Sequence, residues 1–130
     1  MTSAELLKWI HLLAAATWTG GLITLAVLVP AMRNAGAERP LLQAVARQFG
    51  RVSWVALTVA VVTGIWQVEL VGYAWADLTL KVTLVTIAAG LALVHQLTAR
   101  RSTAAVRGLL QGLILVASVG IFGAAVALFG

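Results

Sequence analysis

Residues 9–29 read WIHLLAAATWTGGLITLAVLV, and the reading of the whole chain turns on them: the stretch is apolar and long enough to cross a bilayer, yet it carries His11. About 20 apolar residues rising ~1.5 Å each cover a hydrocarbon core of roughly 30 Å, where a polar group must find a partner or carry a substantial penalty. His11 therefore implies either a local hydrogen bond to a hydroxyl or carboxylate, or a role in ligation or proton transfer. Trp18 follows seven residues later, almost two turns on, so the two side chains share one helix face and can line an interior seam. Gly20 and Gly21 come next and let another helix or a flat ligand approach closely.

Working outward, the first helix is expected over about 5–29, and three more apolar runs follow at about 52–71, 78–98 and 109–129. Of the 130 residues, 62% are hydrophobic and only 10% charged, with a mean hydropathy of +1.02, which excludes an ordinary soluble domain. The expected fold is all-α: an integral-membrane antiparallel four-helix bundle filling residues 1–130 as a single domain, with the lipid bilayer as its solvent. The first run is longer than a signal-peptide core and has no small-residue cleavage site after its charged end, so this helix is expected to remain in the protein.

The chain has no cysteine, which removes thiolate catalysis, disulfides, iron–sulfur ligation and cysteine-based copper binding. Its net charge of +5 is a membrane signal here, with no nucleic-acid partner implied, because the basic residues divide by side. The segment from Arg33 to Arg51 and the one holding Arg100, Arg101 and Arg107 contain seven basic residues and one acid, Glu38, a net +6. The opposite face has Lys8 and Lys81 against Glu5, Glu69 and Asp77, a net −1. Positive residues favour the cytoplasmic side, so both Arg-rich loops are expected inside and both termini outside, in a bacterial inner membrane.

Along the chain, Thr2 or Ser3 suits an N-cap with Glu5 in the first turn. Pro30 favours an end or a bend of the first helix after Val29. Pro40 fits the first turn of a helix whose Leu41, Leu42, Val45 and Phe49 form an apolar face; residues 40–50 either lie at the interface or extend the second helix. The second helix ends in a polar turn with Thr63, Trp66, Gln67 and Glu69, followed by Tyr73 and Trp75, which suit an aromatic belt, and by Asp77 at the start of the third helix.

Depth decides which polar groups can meet. With this topology His11 lies roughly 9 Å below the outer end of its helix and Lys81 roughly 5 Å below the outer end of the third, whereas His95 lies roughly 25 Å down. His11 and His95 are thus poor partners for one metal, and His11, Trp66, Glu69 and Lys81 form the expected outer cluster. Lys81 either snorkels to lipid phosphate or pairs with Glu69, a porphyrin propionate or a substrate carboxylate. Glu69 is an interfacial ion-pair member or a proton carrier. Trp9, Trp54 and Trp75 read as belt residues, whereas Trp18 and Trp66 are interior enough to border a porphyrin. His95 reads as a satisfied interfacial histidine. In the fourth run Gly108, Gly112, Val116, Gly120 and Ala124 recur every four residues, a small-residue face for packing within the bundle or, through Gly108, Gly112 and Gly120, for a homodimer.

A neutral His11 can give its lone pair to haem iron or to copper while its other nitrogen takes a supporting partner. Haem explains better than copper how one buried histidine suffices, since the porphyrin brings four nitrogens of its own.

His11, Trp18, Gly20, Gly21 and the exit from Pro30 to Arg33, with RVSWVALTVAVVTGIW at 51–66 and YAWADLTLKVTLV at 73–85, resemble the CopD-like membrane domain and the related HemJ-like four-helix proteins. TGIW at 63–66 and the aromatic approach to Lys81 are closer to the CopD-like pattern; His11 with Trp18, the Pro30–Arg33 exit and Lys81 are also similar to the HemJ-like one. The first resemblance implies copper uptake or resistance beside a periplasmic copper-binding partner. The second implies haem b and a haem-dependent oxidoreductase related to protoporphyrinogen oxidase, with His11 as the membrane histidine and Lys81 as the membrane lysine. Only Met1 and Met32 are present, a short supply for a copper relay.

The expected function is a membrane redox protein that binds b-type haem near the outer leaflet. His11 is its metal ligand, Trp18, Trp66 and Lys81 border the cofactor, and Lys81 and Glu69 are the catalytic candidates, with a quinone or another redox partner exchanging electrons. Copper transport is the alternative, and a non-catalytic assembly subunit that packs through its small-residue face is the third reading.

Overall fold

A computed structural model of the chain describes residues 1–98 and 104–129 and contains, among them, helices and turns but no strand. Four long helices follow in order: α1 (Ser3–Asn34), α2 (Arg39–Val71), α3 (Thr79–Thr98), preceded by a single 3₁₀ turn (Trp75–Leu78), and α4 (Ala104–Phe129). All four are long and apolar enough to cross a membrane. The chain divides into two compact units, Met1–Gly72 and Tyr73–Gly130, the first built on α1 and α2 and the second on α3 and α4.

The first hairpin starts with a complete capping box. The Glu5 backbone N–H donates to Thr2 Oγ1 at 3.2 Å and the Thr2 N–H donates to Glu5 Oε2 at 2.8 Å, so two of the donors that a helix start leaves unpaired are satisfied. Of the end or bend expected at Pro30, the end does not occur: α1 runs on to Asn34 with Pro30 inside it. Proline forfeits one N–H and crowds the preceding turn, but the residues after it still gain their own helical bonds. The stop signal is Gly36, whose φ of +90° is open to glycine, with Gly36 N–H donating to Arg33 O and Ala37 N–H to Met32 O at 2.9 Å.

α2 settles the choice over residues 40–50, which form its first turns, with Pro40 in the opening turn where its missing N–H costs nothing. Gly72, at φ +86°, ends it, its N–H bonded to Val68 O at 2.9 Å. At ~1.5 Å per residue α1 and α2 are each roughly 50 Å long, more than a ~30 Å hydrocarbon core requires. Their surplus turns carry Arg33 and Arg39 beyond the apolar part.

Large apolar side chains lie exposed along every helix, among them Val27, Val55, Leu80 and Val116. The hydroxyls between them are turned inward on their own helices: Thr17 donates to Leu13 O, Thr24 to Gly20 O, Thr58 to Trp54 O, Thr83 to Thr79 O and Thr86 to Val82 O, all at 2.7–2.8 Å. An exposed surface that is apolar in its side chains and internally satisfied in its hydroxyls belongs in lipid.

Within the second hairpin the low-exposure positions are Leu78 and Ala88 before the turn and Ile114, Ala117, Ser118 and Ala124 after it. Those α4 positions follow the helical period. The small residues at every fourth position do not share one face, because a four-residue step advances about 40° beyond a full turn. Gly108, Gly112 and Val116 are exposed, whereas Gly120 lies under Leu84, whose Cδ1 is 3.6 Å from the place a Cβ would occupy.

Candidate functional site

His11 is half-buried on the α1 face that also carries Leu7, Ala14, Trp18 and Leu22, all buried. It reaches across the first hairpin to α2. Its Nδ1 is 2.7 Å from Ala60 O and 3.2 Å from Thr63 Oγ1. A carbonyl only accepts, so Nδ1 carries the proton and donates, which leaves Nε2 as the lone-pair nitrogen of a neutral imidazole. The Thr63 hydroxyl donates to Val59 O at 2.6 Å and is therefore oriented to accept at its other side.

Gly64 makes this geometry possible. A Cβ at that position would stand 3.1 Å from His11 Cε1 and 3.5 Å from Nδ1, so the ring lies directly on the α2 backbone. Nearer the loop, Gly21 does the same for Phe49, whose Cε2 is 2.6 Å from a would-be Cβ. The hairpin surface carries apolar grooves on either side of the Gly21–Phe49 contact. One of about 300 Å³ is lined by residues from Ile10 to Thr17 and from Val52 to Val59; the other, of about 420 Å³, is lined by residues from Gly21 to Leu28 and from Val45 to Phe49.

The remaining sequence candidates fall in different surroundings. Trp18 shares the buried face with His11, at 6% exposure. Trp66 is 57% exposed; two residues beyond Gly64 it stands about 200° further round α2, away from the backbone on which the imidazole rests. Glu69 is exposed in the last turn of α2, and Lys81 is half-buried in the first turn of α3, in the second hairpin.

His95, expected to be satisfied, is satisfied at one nitrogen. The Gln111 side-chain amide donates to its Nε2 at 2.8 Å across α3 and α4, which places the ring proton on Nδ1. That Nδ1 is buried and has no hydrogen-bond partner among the described residues. Ala60, Gly64 and Gln111 are the participants that the sequence reading missed. The available signal was hairpin register: Ala60–Gly64 lie nearly as far beyond Gly36 as His11 lies before it, so folding at that glycine sets them opposite each other.

Among the described residues no group of three or more His, Asp or Glu side chains is placed to hold a metal ion. The donor set offered around His11 is one imidazole. Comparison with protein-family models, with curated proteins and with solved structures finds no match. What the chain shows is an all-α, multi-pass membrane protein with four long apolar helices, in which the first hairpin is clasped by a histidine of fixed tautomer.

Proposed function

We propose that this chain is a membrane redox protein that takes a b-type haem through Nε2 of His11. The observation that carries the reading is the bond from His11 Nδ1 to Ala60 O at 2.7 Å. A ligating imidazole ordinarily donates its second N–H to a carbonyl or carboxylate, which fixes the tautomer, aims the ring and raises the basicity of the other nitrogen. A backbone carbonyl of a helix held by its own turns is a rigid anchor for that purpose, and Gly64 removes the Cβ that would push the ring off it.

The donor set fits this cofactor. A porphyrin brings four nitrogens and asks the protein for one or two axial ligands, whereas a bare copper ion asks for several protein donors. When bound, haem iron supplies one-electron chemistry. The chain's own part is to present Nε2, to set its orientation through Ala60 and Thr63, and to keep water from the ring with the apolar faces around Trp18. Glu69, exposed in the last turn of α2, is suited to carry protons to or from water. A quinone or another redox partner exchanges the electrons. The charge division supports an orientation with both termini outside and both Arg-rich segments in the cytoplasm of a bacterial inner membrane. The CopD-like and HemJ-like resemblance agrees with a histidine of this kind in the first helix.

The test is an optical spectrum of freshly purified protein, oxidised and dithionite-reduced, with metal analysis of the same sample. The expected result is a reducible Soret band that is lost in His11→Ala and kept in His95→Ala. Colourless protein carrying stoichiometric copper overturns the proposal and moves the chain to the copper-transport reading.

A further inference from the structure

The face of α2 turned away from α1 carries two charges that the proposed haem chemistry does not use. Arg47 and Arg51 stand four residues apart, both exposed, on the side of the helix opposite Phe49, Ala60 and Gly64, through which α2 meets α1. Within about 40° of Arg51 round the helix follow Val55, Thr58, Val62 and Ile65, all exposed. The Thr58 hydroxyl donates to Trp54 O, so this part of the stripe presents an apolar surface. Between Glu38 and Glu69 α2 has no acid to pair with the two arginines.

Depth decides what the two guanidinium groups can meet. His11 rests on Gly64, so Trp9, two residues before the one, and Trp66, two residues after the other, stand at the same end of the hairpin. Each is more than half exposed and suits the aromatic belt of one membrane surface. Measured from Trp66 along α2, Arg51 is fifteen residues and roughly 22 Å away and Arg47 nineteen residues and roughly 28 Å, against a hydrocarbon thickness of about 30 Å. Arg51 is therefore anchored roughly 8 Å inside the far edge of the core and Arg47 close to that edge. Helical side chains lean toward the N-terminus, here toward the same edge, so both long side chains can bring their charge to the depth of lipid phosphates. A carboxylate of a soluble partner or a free phosphate would have to leave water to reach this level. A phospholipid places its phosphate there and lays its acyl chain on the apolar stripe beyond. A headgroup that carries its own cation would be repelled by two guanidinium charges, so the pair favours a net anionic lipid.

We propose that Arg47 and Arg51 together clasp the phosphate of one anionic phospholipid, in the leaflet nearer the α1–α2 turn, with an acyl chain lying along Val55 and Val62. The site is independent of His11 and of any cofactor there. Native mass spectrometry of the full chain released from nanodiscs containing equal phosphatidylglycerol and phosphatidylcholine reads the preference directly. Unsubstituted protein retains phosphatidylglycerol over phosphatidylcholine. Arg47→Gln and Arg51→Gln each lower that preference about five-fold, the worth of one basic residue near an anionic surface. Arg33→Gln, exposed toward the same membrane surface but on α1, leaves it unchanged. All three side chains are exposed, so the variants keep the fold, which helicity checks. Equal retention of the two lipids by the unsubstituted protein overturns the proposal. So does a preference that either α2 variant keeps, or one that Arg33→Gln lowers as much as they do, since the attraction is then diffuse. Displacement of the retained lipid by millimolar inorganic phosphate reassigns the site to a soluble anion and overturns the lipid assignment.

Discussion

Replacing Gly64 with alanine tests the clasp between α1 and α2 at its tightest point. The new methyl would stand 3.1 Å from His11 Cε1, against an optimal carbon–carbon separation of about 3.5–4.0 Å. The ring must retreat by several tenths of an ångström, and its 2.7 Å bond to Ala60 O is the contact that retreat disturbs. Overpacking of this kind costs about 1–3 kcal/mol, while exchanging a helical glycine for alanine returns about 1 kcal/mol. Gly64→Ala is therefore expected to fall between neutral and about 2 kcal/mol destabilising, a range too wide to decide anything alone. A double-mutant cycle removes the ambiguity. In a His11→Ala background the obstacle is gone and only the propensity gain of about 1 kcal/mol remains, so the coupling between the two positions should be about 1–3 kcal/mol. Gly90→Ala is the control, since a Cβ there meets nothing within 4 Å. The assay is reversible unfolding in mixed micelles titrated with a denaturing detergent, followed by helicity. A coupling below about 0.5 kcal/mol, or a Gly64 variant that tracks the Gly90 control, refutes the placement of the imidazole on the α2 backbone.

Other expected outcomes follow from the same geometry. Gly21→Ala should cost about 1–3 kcal/mol by pushing on Phe49, and a smaller aromatic-to-leucine change at Phe49 should recover part of it in the same unfolding assay. Thr2→Ala should lose about 0.5–2 kcal/mol of helix stability with the capping box, read as faster amide exchange in the first turn of α1. Gly72→Ala, forced to φ +86°, should cost about 1–2 kcal/mol, and Gly72→Asn less, by the same measurement. Ala37→Cys, in the α1–α2 turn, should be protected from an impermeant thiol reagent added outside intact cells, and labelling from outside would reverse the topology.

The fold was legible because the signals for it are local and redundant. Each apolar run announces one span through length alone, and Thr2 with Glu5, Pro40 and Asp77 mark starts that the structure places within a few residues. The end expected near Val29 lies five residues further on, because the missing N–H of Pro30 competes with the helical bonds gained by the four residues after it. The candidate site was half legible. Burial and period place His11 and Trp18 together on one face, but Ala60 contributes a carbonyl, which no side-chain pattern records, and Gly64 contributes the absence of a Cβ. Trp66 was read from its depth near His11, and depth does not record the face: the residue is 57% exposed on another side of α2. The four-residue stripe in α4 spreads round the helix, since a period of four drifts against 3.6 residues per turn, and its Gly120 and Ala124 end is the part packed within the hairpin.

The two histidines share a logic with opposite outcomes, and this is what separates their chemistry. Each ring has one nitrogen committed across its own hairpin. At His11 the partner is a carbonyl, an acceptor, so the committed nitrogen holds the proton and the other is a base suited to a cation or a metal. At His95 the partner is an amide N–H, a donor, so the committed nitrogen is the base and the other holds the proton, suited to an anion. Exchanging the partners should exchange the preferences. Gln111→Glu turns the donor into an acceptor and should move the His95 proton to Nε2. ¹⁵N shifts of the imidazole report the tautomer directly. If the Gln111→Glu protein keeps its proton on Nδ1, Gln111 does not set the tautomer, and the contrast drawn between the two histidines loses its basis.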